Sequence, residues 1–162
     1  MNERIRQIVR CCGIAVLGMA TVLSAGSCRS NRAYLLREIP RERRDKPRIE
    51  TMEVTAYCPC GSCCGWHRDW LFRPVVSSGP QKGERKRVGI TASGTRARPG
   101  TIAADTRLYP FGTILYVPGY GYGRVEDRGG AIRGQRLDLF FRSHASALEW
   151  GRQTLEIKVW LP

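Results

Sequence analysis

The chain has 162 residues, of which 42% are hydrophobic and 25% charged, which suits one modest domain and excludes a large multidomain enzyme. Its 27 lysines and arginines oppose 14 acidic residues, so the net charge is +13 at pH 7. This charge favours an anionic partner. The basic residues follow no recognition-helix or aromatic-platform pattern, so we predict that the partner is not nucleic acid.

Residues 1–27 are typical of a secretory signal peptide. The first ten residues carry three arginines, and about 15 apolar residues follow before a stretch of small residues. This run is short for a membrane span, which needs about 20 residues, although an uncleaved N-terminal anchor remains the alternative. The sequence therefore predicts export to the periplasm or cell envelope.

Cys28 directly follows Ala25-Gly26-Ser27, a pattern similar to a bacterial lipobox. We expect its thiol to be acylated, which would hold the protein at a membrane. Ordinary signal-peptidase cleavage nearby, leaving a free or paired thiol, is the other interpretation.

Residues 28–48 are predicted to form a basic, extended tether, because Pro40 and Pro47 oppose helix formation. Loss of residues 1–27 would remove three basic residues and one acidic residue, leaving a net charge of +11. We interpret this charge as an attraction to wall polymers and anionic lipid headgroups.

Residues 49–162 are predicted to form one mainly β domain. Short strand patterns recur near residues 49–57, 88–92, 101–104, 114–117, 123–127, 136–141 and 154–161, with glycine and proline between them. One helix is predicted over residues 144–150, with Ser143 as its N-cap and Gly151 at its end. Many short strands with one short helix favour a closed, mostly antiparallel barrel.

Residues 58–65 form a cysteine-rich loop, and an insertion of mixed apolar and basic residues follows at 66–89. The cysteines of this loop are Cys58, Cys60, Cys63 and Cys64. Exported cysteines usually pair, so two disulfides are the favoured interpretation, although close and vicinal cysteines are geometrically constrained. The alternative is a structural zinc ion held by four thiolates, or by three thiolates and His67.

Three aspartates stand at or near the ends of short apolar runs. They are Asp105, Asp127 and Asp138. Carboxylates that share an enclosed groove raise one another's pKa, because burial and like charge both disfavour the ionised form. One of them can then deliver a proton to a leaving group near neutral pH, which is the chemistry of glycosidic bond cleavage.

Strand alternation separates two faces around Asp138. Leu137, Leu139 and Phe141 share one face, whereas Asp138 and Phe140 share the other. If the first face is the barrel core, Asp138 lies in a groove beside an aromatic ring.

Motifs along the chain resemble the 3D (three-aspartate) domain. They are VTAYCPC, TASGT, IAADTRLYPFGT and DRGGAIRGQRLDLFF, in this order. The 3D domain is the module of membrane-bound lytic transglycosylase A and of stationary-phase survival proteins. The resemblance implies a six-stranded double-psi β-barrel that needs no metal or organic cofactor.

The resemblance also implies roles for the aspartates. Asp138 would be the single acid/base, protonating the oxygen that leaves N-acetylmuramic acid and then accepting the proton of that sugar's 6-hydroxyl. Asp127 would raise the pKa of Asp138 and stabilise the developing positive charge. Asp105 would support the groove.

Several residues are candidates for binding the sugar. Gly129 and Gly130 let the backbone approach a bulky ligand, and Ala131 continues the same motif. Phe140 would lie beside Asp138. Trp66 and Trp70 could stack on sugar rings.

Thr91 and Ser93 of the TASGT motif could either bind sugar hydroxyls or cap turns. The sequence does not favour one of these two roles over the other.

Together these inferences predict an exported peptidoglycan lytic transglycosylase whose partner is the glycan strand. A non-catalytic peptidoglycan-binding barrel and a glycoside hydrolase that leaves reducing ends are the two alternatives.

Overall fold

The computed structural model describes residues 46–162. The predicted signal peptide, Cys28 and the tether up to residue 45 lie outside the described residues, so their predicted roles stay predictions. Within the described part of the chain, no helix is both long and apolar enough to cross a membrane.

Eight strands and two short helices follow one another in the described residues. They are β1 (Arg48–Tyr57), α1 (Gly61–Cys64), β2 (Trp66–Arg68), β3 (Pro74–Val76), β4 (Thr101–Ala104), β5 (Ile114–Val117), β6 (Gly121–Asp127), β7 (Arg136–Phe140), α2 (His144–Trp150) and β8 (Gln153–Trp160).

Six of the strands close a barrel in the order β1-β7-β4-β6-β5-β8. The pairs β1–β7 and β4–β6 are parallel, and the other four pairs are antiparallel. The mainly β fold with a closed six-stranded barrel is therefore confirmed. β2 and β3 form a separate antiparallel hairpin within the insertion, which the sequence pattern did not predict.

The barrel core consists of the inward-facing residues of alternating strands. Leu137 and Leu139 of β7 are fully buried, as are Ile157 and Val159 of β8. Burial of each such side chain stabilises the fold by about 1.5–3 kcal/mol. The predicted apolar face of β7 is therefore confirmed, which leaves Asp138 on the outer face of the barrel wall.

The predicted helix is confirmed at both ends. α2 begins at His144 behind Ser143, whose side chain accepts a hydrogen bond from the Ser146 amide, and it ends at Trp150 with Gly151 as its C-cap. The structure adds a single helical turn, α1, inside the cysteine loop.

The predicted strand near residues 88–92 is wrong. Gly89 has a φ of 76°, and Ile90 makes only an isolated bridge to Arg96. The Thr95 amide donates a 3.1 Å hydrogen bond to the hydroxyl of Thr91, so the chain folds back as a tight turn. Local side-chain hydrogen bonds of this kind compete with strand pairing.

Candidate active site

Two of the three aspartates flank one alanine on the barrel wall. β4 lies between β6 and β7, and Ala103 is the register partner of Asp127 on one side and Asp138 on the other. Paired residues on neighbouring strands project to the same face of a sheet. Adjacent strands lie about 4.8 Å apart, so a gap of about 10 Å separates the two aspartate backbones, with only a methyl group between them.

This gap opens into a groove of about 490 Å³. Ala103, Asp127 and Asp138 line it, together with Tyr57 and Phe140. The small side chain of Ala103 on β4 therefore leaves the space open, while carboxyl groups and aromatic rings supply its walls.

Asp138 is a half-buried carboxyl group in this groove. The Thr55 hydroxyl on β1 donates a 2.8 Å hydrogen bond to its Oδ1 atom. Burial raises the pKa of Asp138 to about 6, the hydrogen bond from Thr55 opposes this rise, and the negative charge of Asp127 adds to it. Asp138 can therefore exchange a proton close to neutral pH.

Asp127 accepts three hydrogen bonds. The amides of Ala92 and Arg128 each donate to its Oδ1 at 2.9 Å, and the Tyr57 hydroxyl donates to its Oδ2 at 3.1 Å. Burial first, and then the charge of Asp127, hold the pKa of Tyr57 well above its usual range, so the phenol keeps its proton and acts as the donor. Asp127 is thus fixed in orientation as an acceptor beside Asp138.

Asp105 is not among the residues that line the groove. Its carboxylate is buried, and the Arg107 guanidinium binds it through two contacts of 3.0 and 2.7 Å. The Gly134 amide donates a further 3.0 Å hydrogen bond. The hydrogen bonds from Arg107 and Gly134 hold the pKa of Asp105 well below its usual range.

The role of Asp105 follows from its contact with Gly134. Gly134 belongs to the loop that joins β6 to β7, and these two strands carry Asp127 and Asp138. Asp105 is therefore placed to position this loop, and it is not placed to transfer a proton in the groove.

The predicted sugar-binding residues divide into two groups. Thr91, Gly129, Gly130 and Phe140 line the groove, whereas Ser93 and Ala131 are not among its lining residues. The first group is therefore placed to contact a bound ligand.

The hydroxyl of Thr91 lies 3.0 Å from that of Ser93 and 2.9 Å from that of Thr95. These contacts close a turn, so the TASGT motif stabilises the loop that presents the Ala92 amide to Asp127.

The two tryptophans of the insertion do not line the groove. The indole of Trp66 donates a 3.0 Å hydrogen bond to the carbonyl of Pro59, and Trp70 is 81% exposed.

The cysteine loop forms one wall of the groove through Cys63 and Cys64. Cys58, Cys60, Cys63 and Cys64 are all free thiols in the structure. The Cys64 thiol donates to the carbonyl of Cys58 at 3.1 Å, and burial raises the pKa of Cys64 to about 11.

Sequence reasoning did not identify several residues of the site. Thr55, Tyr57 and Ala103 contact or flank the aspartates, and Lys86, Arg87 and Arg128 add positive charge to the lining. Thr55 and Tyr57 alternate along β1 as Asp138 and Phe140 do along β7, and they pair with them in register. The alternation was readable in the sequence, but the register between two distant strands was not.

Comparison with known proteins agrees with two of the four motifs, IAADTRLYPFGT and DRGGAIRGQRLDLFF. Residues 100–161 match the family model described as the 3D domain. Over these residues the chain is similar to the 3D domain. The match begins immediately before β4 and includes the strands that carry both groove aspartates.

Two relatives from Bacillus subtilis (strain 168) are similar to part of this chain. One is YabE, named as a candidate cell wall shaping protein, and the other is YocH, named as a cell wall-binding protein. Each is 39% identical over 75 residues, which is 44% of this chain. The chain spans 18% of YabE and 26% of YocH.

Two solved structures of the lytic transglycosylase MltA from E. coli are similar at 20% sequence identity. One is a variant in an apo form, with a TM-score of 0.37 over 43% of this chain and 26% of that chain. The other has a TM-score of 0.36 over 48% of this chain and 28% of that chain.

Proposed function

We propose that this 3D domain cleaves the glycosidic bond between N-acetylmuramic acid and N-acetylglucosamine in peptidoglycan, as a lytic transglycosylase. The observation that carries the proposal is that Asp138 and Asp127 line one groove on either side of Ala103, where burial raises the pKa of Asp138 to about 6. General acid catalysis is most effective when the pKa of the acid lies near the working pH. At pH 7, a pKa of about 6 leaves roughly a tenth of the Asp138 side chains protonated.

The proposed reaction needs one proton carrier. Protonated Asp138 donates its proton to the glycosidic oxygen, and the bond from that oxygen to C1 of N-acetylmuramic acid breaks with its electron pair on the oxygen. Positive charge develops on the sugar ring, and the Asp127 carboxylate stabilises it. The orientation of Asp127 is set in advance by Ala92, Arg128 and Tyr57, so no reorganisation is required.

The second half of the reaction returns the proton. The Asp138 carboxylate accepts the proton of the 6-hydroxyl group, whose oxygen bonds to C1 and closes a 1,6-anhydro ring. No water is consumed, and Asp138 ends the cycle protonated as it began. Ordinary glycosidases divide these tasks between two carboxyl groups and a water molecule.

Two further observations support peptidoglycan as the polymer. Lys86, Arg87 and Arg128 make the groove lining basic, which suits the carboxylates of a muramyl peptide. The two relatives from Bacillus subtilis are named for cell wall shaping and cell wall binding. We therefore place this activity in the cell envelope, where the predicted signal peptide would deliver the chain.

A binding module without catalysis is the second candidate function. The name of YocH favours it, because that relative is described as binding the cell wall. A hydrolase that uses the same groove is the third.

Analysis of products separates these candidates. The full chain is incubated with purified sacculi, and the released fragments are examined by mass spectrometry. We expect anhydro ends, which lack one water relative to reducing ends. Reducing ends would establish a hydrolase, and binding without any released fragment would establish the binding module.

The Thr55→Val variant tests the role of Asp138 through the pH dependence of kcat/KM. The hydrogen bond from Thr55 lowers the pKa of Asp138, so its removal should raise that pKa above about 6. Asp138 must be protonated in the free enzyme, so kcat/KM falls as pH rises through its pKa. The alkaline limb of the pH profile should therefore move to higher pH in the variant. Thr55→Ser, which keeps the hydroxyl, is the control and should retain the original profile.

A further inference from the structure

Three of the four clustered cysteines face one histidine from a distant part of the chain. The Nδ1 atom of His144 lies 3.8 Å from the sulfur of Cys58, 3.6 Å from that of Cys60 and 3.4 Å from that of Cys63. The sulfurs of Cys58 and Cys63 are 3.7 Å apart. All four of these ligand atoms lie within 4.8 Å of one another.

These distances match the edges of a zinc tetrahedron. Zinc binds cysteine sulfur at about 2.3 Å and histidine nitrogen at about 2.0–2.1 Å, almost always in tetrahedral geometry at structural sites. A tetrahedron with these bonds has sulfur-to-sulfur edges of about 3.8 Å and sulfur-to-nitrogen edges of about 3.6 Å. Four of the six edges therefore agree with a zinc tetrahedron, and the other two sulfur-to-sulfur edges are no longer than 4.8 Å.

Three elements of the fold bring these ligands together. Cys58 directly follows β1, Cys63 lies in α1, and His144 is the first residue of α2. Cys60 is the N-cap of α1 and accepts a 3.5 Å hydrogen bond from the Cys63 amide. A backbone amide that donates to a ligand sulfur fixes the orientation of that ligand, as is common in metal sites.

The fourth cysteine and the second histidine are directed elsewhere. The Cys64 thiol donates to the carbonyl of Cys58, and it is not a member of the four-atom cluster. His67 lies on β2, where its Nδ1 is 3.0 Å from the Ser77 hydroxyl. Cys64 and His67 therefore lie outside the cluster of candidate metal ligands.

We propose that Cys58, Cys60, Cys63 and His144 bind one zinc ion in a closed structural site. The ion would join the end of β1 and the α1 turn to the start of α2. Since Cys63 also lines the groove, the site would hold one wall of the groove in place. Four protein ligands leave no open position, so the ion would take no part in proton transfer. The proposal does not depend on the reaction that the groove performs.

Two disulfides, the interpretation that an exported location favours, require a different arrangement. They would use Cys64 in a bond with one of the other three cysteines and leave His144 without a role. Both arrangements cannot exist together, so the oxidation state of the thiols decides between them.

The experiment measures bound metal and intact mass on the purified full chain. Zinc is added to the protein, excess ion is removed, and the content is determined by elemental analysis beside native mass spectrometry without reductant. We expect one zinc per chain. Loss of four hydrogens, with no metal bound, would overturn the proposal and establish two disulfides.

Matched variants test the ligand set. His144→Ala should weaken zinc binding at least about tenfold, since removal of even an outer partner of a ligand costs 10–100-fold. His144→Cys supplies another zinc ligand and should retain the ion. His67→Ala and Cys64→Ser are controls for the second histidine and the fourth cysteine, and both should bind zinc like the unaltered chain. Loss of zinc in either control, or full retention in His144→Ala, would contradict the assignment.

Cobalt provides a readout that does not depend on stability. Co²⁺ in place of zinc gives intense visible absorption when four ligands hold it in a tetrahedron, and a near-ultraviolet charge-transfer band when thiolates bind. We expect both features in the unaltered chain and in the two controls. An octahedral cobalt spectrum in the unaltered chain would show that the four side chains do not bind metal together.

Discussion

Asp138→Asn should lower turnover on sacculi by at least about 10²-fold, the lower end of the contribution of general acid–base catalysis. An amide of nearly the same shape cannot donate a proton to the glycosidic oxygen or accept one from the 6-hydroxyl. Because the contacts of the groove are otherwise kept, binding to sacculi should be largely unchanged. Turnover is measured from released anhydro fragments, and binding by sedimentation with sacculi.

The stability of this variant provides its internal control. Burial raises the pKa of Asp138 from 3.8 to about 6 in the folded protein. Between these two values the folded state binds more protons than the unfolded state, so Asp138 makes the protein less stable as pH rises through this range. Above pH 6, Asp138→Asn should therefore unfold at a temperature equal to or higher than the unaltered chain. Near-normal turnover by this variant would show that Asp138 is not the acid/base of the reaction.

Local sequence patterns predicted the elements of the barrel better than the contacts between them. The predicted bounds of β4 and β5 agree with the structure, because each is a short apolar run between glycine, proline or threonine turns. α2 was predictable for the same reason, since Ser143 and Gly151 mark its ends. In each case the determining interactions lie within a few residues of one another.

The wrongly predicted strand near residues 88–92 is also determined by local contacts, but these are hydrogen bonds that the apolar pattern does not reveal. Its apolar residues suggest a strand, but Thr91 binds Thr95 four residues away, and Gly89 turns the chain. Hydrogen bonds from short polar side chains determined this segment. The pattern of apolar residues did not reveal them.

The geometry of the site depends on pairings between strands that are distant from one another in the sequence. Ala103 lies between Asp127 and Asp138 only because β4 pairs with both β6 and β7. Likewise, the sequence suggested His67 as a zinc ligand because it is close to the cysteines along the chain, whereas the structure places His144 beside them. The choice of His144 follows from the position of α2 against the end of β1, which local patterns do not encode.

Ala103→Leu should abolish both cleavage and binding, with turnover reduced by at least about 10²-fold, a loss that a displacement of about 1 Å can cause. Ala103 packs against Tyr57 and Phe140 on the outer face of the barrel wall, so a larger side chain at this position can extend only into the groove or displace these rings. In either case the glycan loses its place between Asp127 and Asp138. The loss of binding distinguishes this variant from Asp138→Asn, which should keep it.

Two controls separate steric blockage of the groove from general damage. Ala103→Ser keeps the side chain small and should retain most of the turnover. Ala131→Leu adds the same bulk at an exposed residue that does not line the groove, so its effect on binding should be small. Thermal unfolding of all three variants verifies that the barrel is intact, since overpacking costs about 1–3 kcal/mol where it strains the structure. Only Ala103→Leu fills the space between the two aspartates. Equal losses of binding and turnover in Ala103→Leu and Ala131→Leu would therefore show that the glycan does not pass over Ala103.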